Sequence, residues 1–279
     1  MILWLASYPK SGNTWMRALL SSYLFEKYFK GNQDIFSKMK LIKRFPAKSA
    51  FNGLVNEETL KNNKLEAFKY FIKAQEKINQ DPKLHIIKTH NFCGAVEGSN
   101  FTDKYNTAGS IYVVRDPRAV AVSYAYYSNI SFEKSVELML SNNRISFNDK
   151  YYPEARLSWK THLLSWESYP APRHVIKYED LLENSASILK SALVFINQFI
   201  KDKIIIDENK ILKVAEECSF KNLKRLEDKK TFDEIEKNKN DKEFFRKGLK
   251  DDWKNELSPK LIYEIEKNFK DEMKNLNYI

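Results

Sequence analysis

Residues 2–15, Ile-Leu-Trp-Leu-Ala-Ser-Tyr-Pro-Lys-Ser-Gly-Asn-Thr-Trp, contain the pattern that decides the fold. The first five are all apolar, which is typical of a strand buried on both faces. Turn-forming residues follow, and residues 14–29 then place apolar side chains at helical spacing. The chain is therefore predicted to open with a strand, a tight loop and a helix.

The loop between this strand and helix has the features of an anion site. Backbone N–H groups at a helix N-terminus point outward without partners, and the helix dipole attracts negative charge. Gly12 allows a tight curl around a phosphate, and Lys10 adds a full charge. Further donors come from Ser11, Asn13 and Thr14. The alternative is an ordinary capped helix, and the sequence contains no G-x-x-x-x-G-K-[ST] loop, which disfavours an ATPase or kinase of that kind.

The remaining pattern alternates strands with helices, as in a parallel sheet covered on both faces. Length alone allows one domain or two. Residues 31–56 show no pattern, and the lysine-dense stretch 221–245 is predicted to be a mobile surface segment or a solvated helix face. Further strands are predicted over 84–89, 110–114 and 174–178, and further helices over 57–78, 119–127, 154–168, 185–200 (capped by Ser185), 207–217 and 259–275.

The charge is strongly basic, with 47 Lys and Arg against 37 Asp and Glu, and residues 1–200 carry most of the excess. A basic surface attracts nucleic acid, anionic membrane or an anionic small ligand, although lysine-rich composition alone gives the same number. Two cysteines cannot form a disulfide framework. The N-terminal apolar run is too short for a signal peptide or a membrane span, so we expect a cytoplasmic protein.

A second motif, residues 112–118 (YVVRDPR), ends a predicted strand and is followed by Ser123. A guanidinium leaving a strand end can fork onto a phosphate. Ser123 lies eight residues after Arg115, about two helical turns, and faces back toward the strand end. A structural ion pair between Arg115 and Asp116 is the alternative.

Two more motifs carry candidate chemistry. His90 ends the strand-forming KTH stretch, and ligands of open α/β sheets gather at the carboxyl ends of strands. Its imidazole titrates near neutrality, although a lone histidine is usually structural. Residues 245–254 (FRKGLKDDWK) carry the basic pair Arg246-Lys247, which taken alone is more typical of an exposed surface.

Together these motifs resemble those of the sulfotransferases that use 3′-phosphoadenosine 5′-phosphosulfate (PAPS). YPKSGNTW is similar to the family's YPKSGTTW loop, with Asn13 as the one departure. RDP…SY matches its 3′-phosphate element R-[DN]-P…S-Y, and RKGLKDDWK resembles RKGxxGDWK, with Asp251 at the second glycine. KTHNF resembles KTHLP, CSF at 218–220 resembles TSF, and Tyr178 begins a YED tripeptide.

The resemblance implies one domain over 1–279, a P-loop-like α/β three-layer sandwich whose mainly parallel sheet has about five strands. It implies PAPS as co-substrate, with His90 as general base, Lys10 neutralising charge on the leaving 5′-phosphate and Lys88 steadying the sulfuryl oxygens. No metal is called for, since the four histidines show no ligand spacing. The implied cofactor-binding residues are Lys10, Ser11, Gly12, Asn13, Thr14, Trp15, Arg115, Ser123, Tyr178, Cys218, Phe220, Arg246, Lys247 and Gly248.

The acceptor stays open among phenols, sterol-like alcohols, amines and sugars, that is, a small molecule or a carbohydrate. Segments 31–56, 91–106 and 126–152 are predicted to line its pocket, with aromatic candidates Phe92, Tyr126, Tyr127 and Phe147. Two rival functions are a nucleotide kinase-like phosphoryl transferase and a non-catalytic nucleic-acid-binding module; the latter lacks a basic-aromatic groove pattern, so no nucleic-acid partner is expected.

The family's C-terminal dimer motif, KxxxTVxxxE, is altered in this chain. Ser258-Pro259 replaces Thr-Val, and the glutamate arrives one residue late. Proline cannot donate a backbone hydrogen bond to a paired strand, and the dipeptide instead resembles the start of a helix. We therefore expect a monomer, or a dimer formed through another surface.

Overall fold

The computed structural model describes residues 1–29, 35–55, 58, 60, 63–228 and 243–279. Its main sheet has four parallel strands: β1 (Ile2–Ser7), β2 (His85–Thr89), β3 (Thr107–Val114) and β4 (Arg173–Lys177). Their order across the sheet is β2-β1-β3-β4, with every neighbouring pair parallel. The predicted α/β fold class is confirmed.

Strand β1 shows why the sheet is covered on both faces. All six of its residues are buried. Alternate side chains of a strand point to opposite faces, so Ile2, Trp4 and Ala6 enter one hydrophobic core while Leu3 and Leu5 enter another. The continuous apolar run in the sequence therefore corresponds to two cores, one on each side of the sheet.

Helices cover these two faces and complete three layers. The Leu3 face packs against α1 (Asn13–Leu24), α2 (Ile35–Met39), α7 (Tyr178–Ile196), α8 (Glu208–Glu217) and α9 (Phe220–Asp228). The Trp4 face packs against α3 (Phe71–Asn79), α4 (Pro117–Ser128), α5 (Phe132–Leu140), α6 (Trp159–Glu167), α11 (Pro259–Asn268) and α12 (Lys270–Asn275). The short helix α10 (Trp253–Glu256) precedes α11.

The sheet has four strands rather than the expected five among the described residues. At the open edge of β2 the chain forms a single parallel bridge in place of a fifth strand, between Arg44 and Lys88. The Phe45 amide donates to the Lys88 carbonyl at 2.8 Å, and the Lys88 amide donates to the Lys43 carbonyl at 2.8 Å. Segment 43–45 therefore extends the sheet sideways without forming a regular strand.

Several predicted boundaries need correction. The helix predicted over 154–168 begins only at Trp159, capped by Ser158, because Glu154–Ala155 pair antiparallel with Ile145–Ser146. The helix predicted from 185 starts at Tyr178 and kinks at Asn184, and it is the Asn184 side chain, not Ser185, that accepts from the Ser187 amide.

The least patterned stretches contain short helical turns. The predicted 57–78 helix is a 3₁₀ turn (Lys64–Tyr70) followed by α3, with residues 56, 57, 59, 61 and 62 outside the described residues. Segment 31–56 contains α2 and the 3₁₀ turn Lys48–Phe51. The predicted mobile segment 221–245 begins as helix α9, and its residues 229–242 lie outside the described residues. No helix in the described part of the chain is long and apolar enough to span a membrane.

Candidate active site

A cavity of about 430 Å³ opens at the carboxyl ends of the four strands. The loops after β1, β2, β3 and β4 all reach it, as expected for an open parallel sheet. No Asp or Glu occurs among the described residues that line it. Nine cationic side chains do line it: Lys10, Arg17, Lys40, Lys43, Arg44, Lys88, Arg115, Lys150 and Arg156.

The loop after β1 wraps the base of this cavity. Lys10 has φ +68° and Gly12 has φ +101°, so the backbone turns sharply before α1 begins at Asn13. A Cβ atom on Gly12 would lie 2.6 Å from Cδ2 of Tyr178, so only glycine fits there. Gly12, Thr14 and Trp15 line the cavity, which leaves the N-terminal turn of α1 facing it.

Two side chains of the loop do not fill the donor role predicted for them, although Asn13 lines the cavity. Nδ2 of Asn13 donates to the Leu5 carbonyl at 2.9 Å and to Ser7 Oγ at 3.2 Å, which fastens the loop to β1. Ser11 is fully buried and does not line the cavity, and its Oγ has no hydrogen-bond partner among the described residues. The anion-binding capacity of the loop therefore comes from its backbone, Lys10 and Thr14.

His90 lies at the end of β2 with its ring fixed in one tautomer. Nδ1 is 2.9 Å from the Ser7 carbonyl, which can only accept, so Nδ1 carries the hydrogen and Nε2 carries the lone pair. Burial, and then the charge of Lys88, hold the pKa of His90 well below its ordinary value. The ring is therefore a neutral imidazole with a basic nitrogen at a cavity-lining position.

A second histidine, which the sequence analysis passed over, supports the first. Nε2 of His162 lies 3.2 Å from the His90 carbonyl, and its Nδ1 lies 2.9 Å from the Tyr112 hydroxyl. The carbonyl fixes Nε2 as the donor, so Nδ1 accepts from Tyr112. Burial lowers the pKa of His162 to about 3, so it stays neutral. Its spacing from His90 in the sequence gives no hint of this contact.

Arg115, Ser123 and Tyr178 all line the cavity on the side of β3 and β4. The Arg115 guanidinium lies 4.2 Å from the Tyr178 ring centre and donates from Nη1 to the Lys10 carbonyl at 3.3 Å. Its Nε is buried without a hydrogen-bond partner in the described part of the chain. The alternative considered for Arg115, an ion pair with Asp116, is not formed among the described residues, because Asp116 binds Arg118 instead.

Behind Arg115 and Tyr178, a buried network ties the C-terminal residues to the site. Glu179 accepts from the Asp116 amide at 3.1 Å and from the Tyr278 hydroxyl at 3.0 Å. Arg118 donates to Asp116 and to the Tyr278 carbonyl at 2.8 Å. The strand ends that carry Arg115 and Tyr178 are thus held by contacts 160 residues away in sequence, which no local motif could reveal.

The expected adenine site is walled by aromatic rings, but Cys218 lies behind it. Trp15 and Phe220 line the cavity with centroids 6.1 Å apart at 66°. The Trp15 indole donates to the Cys218 carbonyl at 2.8 Å, while the Cys218 thiol contacts Ser22 and is fully buried. Burial raises the pKa of that thiol to about 12. Cys218 therefore positions Trp15 through its backbone, and its thiol does not line the cavity.

The basic pair of residues 245–254, Arg246 and Lys247, is engaged in ion pairs outside the cavity. Arg246 pairs with Asp252 and, at 3.1 Å, with Glu256. Lys247 pairs with the same two carboxylates at 2.8 and 2.9 Å. Gly248, at φ +66°, packs so closely on Phe220 that an added Cβ would lie 2.7 Å from its ring. Only Gly248 therefore touches the expected nucleotide wall, and the two cations face carboxylates.

The predicted acceptor residues divide between several surfaces. Tyr127 lines the main cavity, and Phe147 lines a smaller neighbouring cavity of about 230 Å³. Tyr126 lies at an outer depression and Phe92 is buried. Glu97 and Asp103, the carboxylates that would be the next candidates for the base if His90 were not it, do not line the main cavity. Asp103 caps the Tyr105 and Asn106 amides of its own loop. The described residues contain no cluster of three or more potential metal ligands.

Comparison with known proteins identifies the class to which this fold and site belong. The sulfotransferase domain family matches the chain over residues 2–277. The chain therefore belongs to the sulfotransferase family, and the activity expected from its motifs, PAPS-dependent sulfuryl transfer, is confirmed.

Individual relatives are distant but cover nearly the whole chain. An amine sulfotransferase of Oryctolagus cuniculus is 24% identical over 276 residues, 96% of this chain and 79% of the relative. Cytosolic sulfotransferase 1 of Arabidopsis thaliana is 27% identical, covering 97% of this chain and 78% of the relative. A mouse sulfotransferase solved in complex with PAP shares the fold, with TM-score 0.59 and 23% identity over 98% of this chain and 85% of that one.

Proposed function

We propose that this chain transfers the sulfuryl group of PAPS to a hydroxyl or amine with His90 as general base. The observation that carries the proposal is the fixed tautomer of His90, whose Nδ1 donates to the Ser7 carbonyl and whose Nε2 keeps its lone pair. In this mechanism the acceptor oxygen or nitrogen attacks sulfur and its proton passes to Nε2. The sulfur–oxygen bond to the 5′-phosphate breaks, and 3′-phosphoadenosine 5′-phosphate (PAP) leaves.

Charge around the reacting sulfur comes from two lysines at neighbouring strand ends. Lys10 follows β1, and Lys88 lies in β2, two residues before His90. β1 and β2 are adjacent and parallel, so both cations belong to the same end of the sheet. Lys10 would neutralise charge on the leaving 5′-phosphate, and Lys88 would steady the sulfuryl oxygens.

The nucleotide would occupy the side of the cavity formed by β1, β3 and β4. The 5′-phosphosulfate would lie against the Gly12–Trp15 turn, adenine between Trp15 and Phe220, and the 3′-phosphate against Arg115 and Ser123. Arg246 and Lys247 can join that phosphate only by leaving Asp252 and Glu256. We therefore propose that nucleotide binding exchanges these carboxylates for phosphate oxygens.

PAP should bind at least about tenfold more tightly than AMP, because a charge-assisted phosphate contact is worth roughly 1.5–3 kcal/mol. Isothermal titration calorimetry of the chain with both nucleotides measures the ratio. Arg115→Gln should reduce the ratio, whereas Arg225→Gln, which removes the same charge from an exposed residue of α9, should not. Equal affinities for PAP and AMP would contradict the proposed 3′-phosphate site.

Further proposals concern the setting of the reaction. We place the enzyme in the cytoplasm as a single domain acting on small-molecule or carbohydrate acceptors. The relative called amine sulfotransferase supports an amine acceptor, and the relative called cytosolic sulfotransferase supports this location. A metal ion has no role in the proposed mechanism.

The chain should be a monomer at micromolar concentration. Ser258 caps α11 and Pro259 occupies its first turn, as the sequence predicts. These two residues stand where the family's dimer motif has Thr-Val, and here they begin a helix. Light scattering gives the mass directly, and Pro259→Val should leave it unchanged. A stable dimer that Ser258→Asp dissociates, with the helix cap preserved, would contradict the proposal.

A further inference from the structure

We infer that Tyr278 and Glu179 are positioning residues of the 3′-phosphate site, and that together they keep Arg115 available for the phosphate. The Tyr278 hydroxyl holds the Glu179 carboxylate against the turn that follows Arg115, so the carboxylate does not pair with the guanidinium. The inference rests on the proposed function, which assigns the 3′-phosphate to Arg115 and Ser123. It adds two residues that do not themselves line the cavity.

Arg115 has two buried acidic residues close to it. Asp116 is the next residue in the chain, and Glu179 follows Tyr178, whose ring centre lies 4.2 Å from the Arg115 guanidinium. Asp116 is 5% exposed and Glu179 is 3% exposed. Buried charges are normally paired, so an ion pair with Arg115 is the arrangement to expect. Among the described residues neither acid forms it, and Arg115 Nη1 donates to the Lys10 carbonyl instead.

Asp116 is kept from Arg115 by Arg118. The Arg118 guanidinium donates from Nε to Oδ1 at 3.0 Å and from Nη2 to Oδ2 at 2.7 Å, which makes a bidentate pair. The Trp253 ring covers this guanidinium, with its centre 3.9 Å away. The first acid therefore has a strong partner of its own.

Glu179 is held by two neutral donors and not by a cation. The Asp116 amide donates to Oε1 at 3.1 Å, and the Tyr278 hydroxyl donates to Oε2 at 3.0 Å. Burial raises the pKa of Glu179, while these hydrogen bonds and the charge of Arg115 act against that rise, so Arg115 is close enough for the two charges to interact. Because each oxygen already accepts a hydrogen bond, the carboxylate stays on the turn.

Tyr278 is itself fixed before it meets Glu179. Its carbonyl accepts from Arg118 Nη2 at 2.8 Å. The Lys177 ammonium donates to the Leu276 carbonyl and lies 4.6 Å from the Tyr278 ring centre. Since these contacts already order residues 276–278, the hydroxyl reaches Glu179 with little further loss of side-chain entropy.

Loss of the Tyr278 hydroxyl should therefore affect the 3′-phosphate specifically. Oε2 of Glu179 would lose its donor, and a buried carboxylate oxygen without a partner is costly. The carboxylate would then turn toward Arg115 and compete with the 3′-phosphate for the guanidinium. AMP lacks that phosphate, so the same change leaves its affinity intact.

The test is isothermal titration calorimetry of Tyr278→Phe with PAP and with AMP. We expect the ratio of PAP to AMP affinity to fall about tenfold, the effect of one charge-assisted hydrogen bond. AMP affinity should stay within about twofold, as for sites that do not interact. In the sulfotransferase assay KM for PAPS should rise about tenfold while kcat at saturating PAPS is unchanged, the pattern of lost binding without lost chemistry.

A second substitution separates this role from a loosened fold. Glu179→Gln keeps the size of the side chain and removes its charge, so it cannot compete for Arg115. Added to Tyr278→Phe, it should restore most of the ratio of PAP to AMP affinity. A substitution that merely loosened the fold would not be corrected by a further one in the same hydrogen-bond network.

Tyr23→Phe is the matched control. The Tyr23 hydroxyl donates to the Ile205 carbonyl at 2.8 Å and accepts from the Asp207 amide at 2.9 Å, away from the cavity lining. Its loss should lower thermal stability and leave the ratio of PAP to AMP affinity at the wild-type value.

Two outcomes overturn the inference while the proposed function stands. The first is a wild-type ratio in Tyr278→Phe, and the second is a lowered ratio that Glu179→Gln does not raise. Equal affinities of the wild-type chain for PAP and AMP would instead contradict the 3′-phosphate site of the proposed function, and the inference would be lost with it.

Discussion

His90→Ala should lower kcat by about a hundredfold to ten-thousandfold, the usual contribution of a general base. PAP affinity should stay within about twofold, because the His90 ring is fixed by Ser7 and not by any residue of the expected nucleotide side. Single-turnover assays with labelled PAPS give the rate, and calorimetry with PAP gives the affinity. A large loss of rate with unchanged PAP affinity is the result expected for a general base.

His174→Ala is the matched control for this experiment. His174 is half-buried in β4, contacts Ser191 and does not line the cavity, so its loss tests folding without touching the reaction. A His90→Ala enzyme that keeps more than about a tenth of the rate would assign the proton to another group. Glu97 and Asp103 would then be tested, although both lie outside the cavity lining.

The pH dependence of kcat/KM should also identify His90 as the base. Burial and Lys88 lower the pKa of His90, so the neutral, active imidazole persists below the ordinary histidine range. As pH falls, kcat/KM for PAPS should therefore stay level through pH 6.5 and decline only when pH reaches the lowered pKa of the free enzyme. A midpoint at or above 6.5 would show that the ring is solvated and not held as described.

Lys10→Ala should impair both binding and turnover, in contrast to His90→Ala. The ammonium lies 4.2 Å from the Tyr127 ring centre and 3.9 Å from that of Phe244, which places its charge over the cavity. Its loss removes a charge that the 5′-phosphate needs in the ground state and needs more as the bridging bond breaks. We expect PAP affinity to fall about tenfold and kcat a further hundredfold to thousandfold, as for one preorganised donor.

Lys10→Arg provides the comparison, since it keeps the charge but changes its position. It should retain nucleotide affinity better than turnover, because the leaving oxygen requires a point charge at one place. If Lys10→Ala weakened PAP binding but kept a normal kcat, Lys10 would be a binding residue only. Lys88 would then be the residue that neutralises charge on the leaving 5′-phosphate.

The parts of this protein that the sequence predicted are those built from contiguous residues. A buried strand, a glycine turn and a helix start within fifteen residues define the loop around Gly12, and local sterics then dictate its shape. The same holds for Pro117 at the start of α4 and for Ser258 and Pro259 at the start of α11. Such features depend on neighbours in the chain and need no knowledge of distant contacts.

The parts that escaped prediction depend on residues far apart in sequence. Cys218 belongs to a recognisable tripeptide, but its thiol contacts Ser22 and its carbonyl accepts from Trp15, so the thiol points away from the cavity. Arg246 and Lys247 look like free cations until Asp252 and Glu256 are placed beside them. The predicted helix start at residue 154 is wrong because Glu154 pairs antiparallel with Ser146 and forms ion pairs with Arg44 and Arg156. The spacing of apolar residues in the sequence gives no information about these long-range contacts.

The cationic cavity also attracts the nucleotide before the two molecules are in contact. Cations gathered in a concave, low-dielectric site focus their field outward, so a polyanionic nucleotide is drawn in from beyond contact distance. This attraction is screened over about 10 Å at 0.1 M salt. Encounter rates will therefore fall as ionic strength rises, while the buried contacts change less, and nucleotide capture will be faster in dilute buffer than in the cell.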